Sequence, residues 1–382
     1  MHRATRLIHH PGAVCPHTGA VSPPIYQVST FAQTAVGENR GYDYSRTGNP
    51  TRSVLERTIA DLEGADEAHG LAFASGMAAI SACLTLLDTG DHVVATEGLY
   101  GGTYRLLTRI YERLGIPATF VDTSDVAAVE AAVTDRTRMI FVETPSNPTM
   151  RITDLGAVAD LAHRHNAILA VDNTFMSPWL QRPMEAGADV VVHSATKFLG
   201  GHSDLIVGLA VCRDSDLAKR LGRIQNAVGA VPSPMDCWLV VRGLKTLGVR
   251  MERGQATAGR LAKWLAGRDE VEAVLWPGVE GFPGADVHAR QADGPGAILS
   301  FRLREGLSGA ALCNHTDIWT LAVSLGAVES IITLPARMTH LPYRPAERAG
   351  LGIDDRLVRL SVGLEDADDL TADLAGALEA MG

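Results

Sequence analysis

Between residues 71 and 212 the chain falls into short apolar runs separated by intervals mostly long enough for a helix. The runs cover 71–74, 92–95, 118–121, 139–142, 168–171, 190–193 and 209–212. Neighbouring parallel strands need a long crossover connection, so this rhythm predicts an α/β fold with a mostly parallel central sheet covered on both faces. Groups that bind ligands collect at the carboxyl ends of such strands. Glu143, Asp172 and Lys197 each fall just past the end of a run.

A chain of 382 residues, 46% hydrophobic and 20% charged, can bury a large core and divide into two or three domains. A formal charge of −10 with no basic stripe argues against a nucleic-acid partner. Cys15, Cys83, Cys212, Cys237 and Cys313 are odd in number and scattered, with no C-x-x-C pair. That pattern argues against a disulfide framework or a zinc site and for a reducing cytoplasm. No apolar signal segment follows Met1, and no secretory signal is expected. The uncharged segment 71–87 is broken by Ser75-Gly76, and reads as a strand running into a buried helix rather than a membrane span.

Residues 1–50 are rich in Gly, Pro, His and Tyr without periodicity, and read as an arm ordered by packing on something else. A helix is predicted over 51–62, with Val54, Leu55, Ile59 and Leu62 inward and Gly64 ending it. Pro232-Ser233-Pro234 marks a break. Beyond it, 238–265 reads as one long helix, and 297–303 and 357–362 as strands of a smaller α/β part. The last helix carries Leu370, Leu374 and Leu378 on one face behind an acidic start. The expected division is an arm over 1–50, a large domain over 51–235 and a C-terminal domain over 236–382.

Chemistry concentrates in Ser194-Ala195-Thr196-Lys197-Phe198-Leu199-Gly200-Gly201-His202-Ser203, preceded by Val171-Asp172-Asn173-Thr174. A lysine, two hydroxyls and an aspartate are the equipment for holding pyridoxal phosphate (PLP). The lysine binds the aldehyde, the hydroxyls take the phosphate, and the carboxylate keeps the pyridine nitrogen protonated so that the ring accepts electrons. Lysine is scarce: apart from Lys197 there are only Lys219, Lys245 and Lys263, of which the first and last read as solvated helix positions. Ser75-Gly76-Met77 places backbone N–H groups at a helix start, an anion site or simply a tight turn. Asp172 taken alone is equally a helix cap. Ser194 and Thr196 alternate with Ala195, so their hydroxyls share a side. His193 and His202 lack partners for a metal, and no metal is expected.

The whole chain resembles the Cys/Met-metabolism family of PLP enzymes, which includes cystathionine γ-lyase, cystathionine β-lyase, cystathionine γ-synthase and methionine γ-lyase. The lysine signature runs from Asp189-Val190 to Gly201-His202-Ser203. Further family-like blocks are Tyr42-Asp43-Tyr44-Ser45-Arg46, Asn49-Pro50-Thr51, Leu99-Tyr100-Gly101-Gly102-Thr103, Glu143-Thr144-Pro145-Ser146-Asn147-Pro148, Met338-Thr339-His340 and Arg359-Leu360-Ser361-Val362-Gly363. The resemblance implies the PLP-dependent transferase fold type I, aspartate aminotransferase-like, and a homotetramer built from two tight dimers. It also implies roles. Lys197 is the Schiff-base lysine and proton shuttle, Asp172 pairs with the pyridine nitrogen, and Tyr100 stacks on the ring and serves as acid–base group. Gly76, Met77, Ser194 and Thr196 hold the phosphate, and Tyr44 and Arg46 reach the phosphate of the neighbouring subunit. Arg359 clamps the substrate α-carboxylate, with Ser324 and Asn147 nearby.

The resemblance does not choose the reaction. Val323 stands where cystathionine γ-lyases resemble one another in having glutamate, which favours a short thioether such as methionine. Gly102 stands where methionine γ-lyases often have cysteine, which favours cystathionine. The leading expectation is γ-elimination of L-methionine or a related homocysteine thioether to 2-oxobutanoate, ammonia and a thiol. Cystathionine γ- or β-lyase and the transferase cystathionine γ-synthase are the alternatives.

Overall fold

A computed structural model describes residues 1–381. The seven predicted runs become seven strands: β1 (Gly70–Phe73), β2 (His92–Thr96), β3 (Ala118–Val121), β4 (Thr137–Glu143), β5 (Ile168–Asp172), β6 (Val190–Ser194) and β7 (Gly208–Cys212). They form one sheet in the order β1-β7-β6-β5-β4-β2-β3. All run parallel except β7, which is antiparallel to both neighbours. The fold is therefore the α/β, fold type I architecture that the resemblance implies.

Alternation along each strand decides which helix it meets. Val93, Ala95, Met139 and Phe141 face a core made with helix Gly76–Leu84 and helix Ser215–Val228. Val94, Ile140, Val142, Leu169 and Val171 face the opposite core, made with helix Leu155–Arg164. Each fully buried Val, Leu or Ile contributes roughly 1.5–3 kcal/mol, so both faces hold the sheet firmly. Segment 71–87 resolves into β1 and helix Gly76–Leu84, and no helix among the described residues is long and apolar enough to cross a membrane. Gly208 on the reversed β7 allows the close approach of the β1 turn, since a Cβ there would lie 2.0 Å from the Ser75 carbonyl oxygen.

The smaller sheet has five strands: β8 (Val271–Leu275), β9 (Ile298–Leu303), β10 (Thr320–Leu321), β11 (Ile331–Thr333) and β12 (Leu357–Ser361). Their order is β10-β11-β12-β9-β8, antiparallel apart from the β10–β11 pair. Helices Leu247–Ala266 and Ala367–Glu379 cover it. The single helix expected over 238–265 is two, Pro234–Leu244 and Leu247–Ala266. They part because the Gly243 carbonyl accepts from the Thr246 hydroxyl at 3.1 Å and the Arg250 guanidinium at 2.8 Å. Within the first fifty residues the chain is irregular apart from helix Arg3–Ile8.

Candidate functional site

One cleft of about 890 Å³ opens at the carboxyl ends of β4, β5 and β6. It is lined by Gly76, Met77, Tyr100, Asn147, Asp172, Ser194, Thr196, Lys197, Val323, Ser324 and Arg359. Eleven of the thirteen residues singled out from sequence thus meet in one place. Tyr44 and Arg46 do not: Arg46 donates to the Asn226 carbonyl at 2.7 Å and lies over the Tyr44 ring, away from this chain's own cleft.

The rear of the cleft is backbone. Ser75 caps helix Gly76–Leu84 by accepting the Ala78 N–H at 3.1 Å, leaving the first-turn N–H groups of Gly76 and Met77 without helical partners. A Cβ on Gly76 would sit 2.9 Å from the Ser194 Cβ, so only glycine lets the helix start rest against the end of β6. Oriented N–H groups beside a hydroxyl make a cradle for a phosphate. Thr196 is partly committed, accepting the Val207 N–H at 3.1 Å.

Lys197 donates from Nζ to Ser324 Oγ at 2.6 Å. Burial, reinforced by the Arg359 charge, pulls its pKa down to about 8. Below that pH the amine is protonated and unreactive; above it the free nucleophile dominates. Acetylation of Lys197 in the cofactor-free protein is therefore expected to reach half its limiting rate near pH 8, read by peptide mass spectrometry. A midpoint above pH 10 would show an ordinary solvated lysine.

Arg359, on β12 and 1% exposed, donates to Asn147 Oδ1 at 2.8 Å and to the Ser324 carbonyl at 2.7 Å. Its Nε has no partner, and burial pulls its pKa down to about 10, still fully cationic at neutral pH. A buried guanidinium that lines the cleft and keeps an unpartnered donor fits a carboxylate. Ser324 holds a left-handed backbone conformation, φ 93°, which turns its hydroxyl to Lys197 and its carbonyl to Arg359.

Asp172 ends β5, and its Oδ1 accepts the Thr174 N–H at 3.0 Å. Burial pushes its pKa up. Glu143 ends β4 directly beside it in register, accepting the Tyr100 N–H at 3.0 Å and the Asn147 N–H at 2.9 Å. Burial and the neighbouring Asp172 push Glu143 up to about 8, against the pull of both N–H donors and Arg359. With each oxygen accepting a backbone N–H, the geometry is that of the carboxylate. Asp172, lining the cleft at the end of β5, would meet a cationic ring nitrogen there, and that charge would favour its ionised form. Tyr100 is 39% exposed, and a Cβ on Gly102 would lie 2.4 Å from its Cε1. Any larger residue at 102 would push the ring aside.

Sequence reasoning placed Glu143 at a strand end but gave it no role; its pairing with Tyr100 becomes visible only when β4 and the Tyr100 loop are side by side. It also gave no role to Arg105 or Arg109, which line the cleft, are exposed, and have no ion-pair or hydrogen-bond partner among the described residues. Their i, i+4 spacing after Tyr100 was the available signal.

A nucleophilic amine, a backbone phosphate cradle, a buried carboxylate and an aromatic ring in one cleft fit PLP. The family model described as Cys/Met metabolism PLP-dependent enzyme matches residues 4–379. The chain is 50% identical over 375 residues to cystathionine beta-lyase MetC of Bacillus subtilis (strain 168), covering 98% of this chain and 96% of that one. It is 48% identical over 378 residues to cystathionine gamma-synthase of Mycobacterium leprae (strain TN), covering 98% and 96%. The crystal structure of cystathionine gamma-lyase from Lactobacillus plantarum complexed with L-serine superposes with a TM-score of 0.98 at 44% identity, covering 100% and 99%.

Proposed function

Since the chain belongs to the Cys/Met metabolism family of PLP-dependent enzymes, we propose that it is a carbon–sulfur lyase acting on L-cystathionine. Arg105 and Arg109 carry this reading. Two unpaired guanidinium groups at the rim suit a thioether with a second carboxylate at its far end, which cystathionine has and methionine lacks. Gly102, where a larger residue would displace the Tyr100 ring, agrees with it.

Bound PLP supplies the sink for the electron pair left when a proton leaves Cα. The chain's own residues do the rest. Arg359 holds the α-carboxylate, with Asn147 and Ser324 fixing its plane. Lys197 removes the Cα proton and, in the γ direction, moves protons at Cβ. Tyr100 protonates the departing thiolate. Gly76, Met77, Ser194 and Thr196 hold the phosphate and Asp172 the ring nitrogen. Tyr44 and Arg46 complete the phosphate site of a second copy in a dimer-of-dimers tetramer, supported by their lying outside this chain's own cleft. The division at 50 and 235 and a cytoplasmic location belong to the same proposal.

A second reading, γ-elimination of L-methionine, is favoured by Val323, an apolar side chain 60% exposed on the cleft wall. The two are separated by giving the PLP-loaded protein each amino acid and identifying the products. Cystathionine is expected to react faster, yielding cysteine, 2-oxobutanoate and ammonia, or homocysteine, pyruvate and ammonia, according to the bond cut. The double variant Arg105→Ala, Arg109→Ala is expected to raise KM for cystathionine about tenfold and leave methionine unchanged. Faster release of methanethiol from methionine, with no effect of the arginines, would establish the second reading. Thiol exchange without any 2-oxo acid would mean a transferase.

A further inference from the structure

We propose that Glu143 is a positioning residue that locks the ring-stacking Tyr100 and the carboxylate clamp of Arg359 into one geometry. The inference rests on the assignment of Arg359 to the substrate α-carboxylate and of Tyr100 to the cofactor ring. Glu143 sits at the last position of β4 with both oxygens committed, one to the Tyr100 N–H at 3.0 Å and one to the Asn147 N–H at 2.9 Å. Asn147 in turn accepts from Arg359 Nη1 at 2.8 Å. Its carbonyl accepts from Nε2 of His340 at 3.0 Å, a buried ring held neutral at physiological pH. One side chain therefore spans the loop that carries the aromatic and the loop that orients the guanidinium.

Packing alone gives no reason for a carboxylate here. Glu143 lies directly beside Asp172 in register, is only 5% exposed, and its ionised form is opposed by both burial and that neighbour. An apolar side chain would pack at the end of β4 without that cost, but would leave the buried Asn147 N–H and the part-buried Tyr100 N–H unpaired and both loops free to shift. Positional tolerance at such sites is small, so a fraction of an ångström at Tyr100 or Arg359 is felt in binding.

The test uses PLP-loaded Glu143→Gln and Glu143→Asp. L-Alanine, which carries the α-amine and α-carboxylate but no leaving group, is the probe. Its binding is read from the change in cofactor absorption, and the visible circular dichroism of PLP reports how the ring is seated. Glutamine keeps one acceptor and turns an NH₂ toward the other N–H. It is expected to raise the L-alanine Kd about tenfold, or about 1.4 kcal/mol, and to alter the dichroism while PLP stays bound. Aspartate keeps the charge but is one methylene short, and is expected to fall between wild type and glutamine. Wild-type L-alanine affinity and dichroism in both variants, with only a lower melting temperature, would overturn the proposal. Arg359→Ala in parallel separates the levels. If it weakens L-alanine and Glu143→Gln does not, only the Glu143 role falls. If it leaves L-alanine unaffected, the clamp assignment fails and the Glu143 proposal with it.

Discussion

Lys197→Ala is expected to lower kcat for thioether cleavage at least about a thousandfold, because in the proposed mechanism one substitution removes both the covalent attachment of PLP and the group that moves protons at Cα. The cofactor is still expected to bind, since the cradle of Gly76 and Met77 and the Asp172 carboxylate remain. Ser324 loses its only side-chain donor, and the pocket gains a cavity rather than a buried unpaired charge, so the fold should persist. Bound PLP in this variant should be released by dialysis, whereas in wild type it should resist. A Lys197→Ala protein that cleaves thioether at the wild-type rate would end the proposed mechanism.

In the proposed mechanism Asp172 holds the ring nitrogen, so Asp172→Asn is expected to lower kcat about a hundredfold or more, or about 2.7 kcal/mol in the barrier, because a neutral amide no longer favours the protonated ring. Stability of the cofactor-free protein should move the other way. The folded-state pKa values of Asp172 and Glu143 are raised, so together they contribute stability that is present in acid and lost as pH rises toward about 8. The asparagine removes part of that loss. Its melting temperature without cofactor is expected to exceed wild type at pH 7–8 and to converge with it near pH 4. Melting curves over that range check the sign, and a variant less stable than wild type at pH 8 would show that Asp172 is structurally required.

The large sheet was legible because its central strands are buried on both faces, so most runs are almost wholly apolar and stand out from the helices around them; the edge strand β3 is part-exposed. The reversal of β7 was not, since nothing in Leu209, Ala210 and Val211 distinguishes an antiparallel neighbour from a parallel one. Strands β8 and β11 escaped for a different reason. Val271-Glu272-Ala273 alternates weakly, and β11 is three residues long, below the length at which periodicity speaks. The helix break at Lys245-Thr246 depends on Arg250 reaching back to Gly243, a contact that no local propensity encodes. Most site residues were legible from their side chains, whereas Glu143 was opaque because it acts through the backbones of Tyr100 and Asn147, and Arg105 and Arg109 because an exposed helix arginine looks like any solvated one.

The cradle built from the Ser75-Gly76-Met77 turn and Ser194, with Gly208 packed behind that turn, has an evolutionary consequence. At Gly76 and Gly208 even one added carbon collides with neighbouring atoms, so this half of the cleft offers mutation almost nothing to vary. The opposite rim is its reverse: Val323, Arg105 and Arg109 are exposed and their side chains hold nothing else in place. Exchanges there leave the cofactor seat untouched. On the proposed function, a lineage carrying this fold can therefore drift from one sulfur amino acid to another by changing a few rim side chains, while its cofactor chemistry is inherited intact.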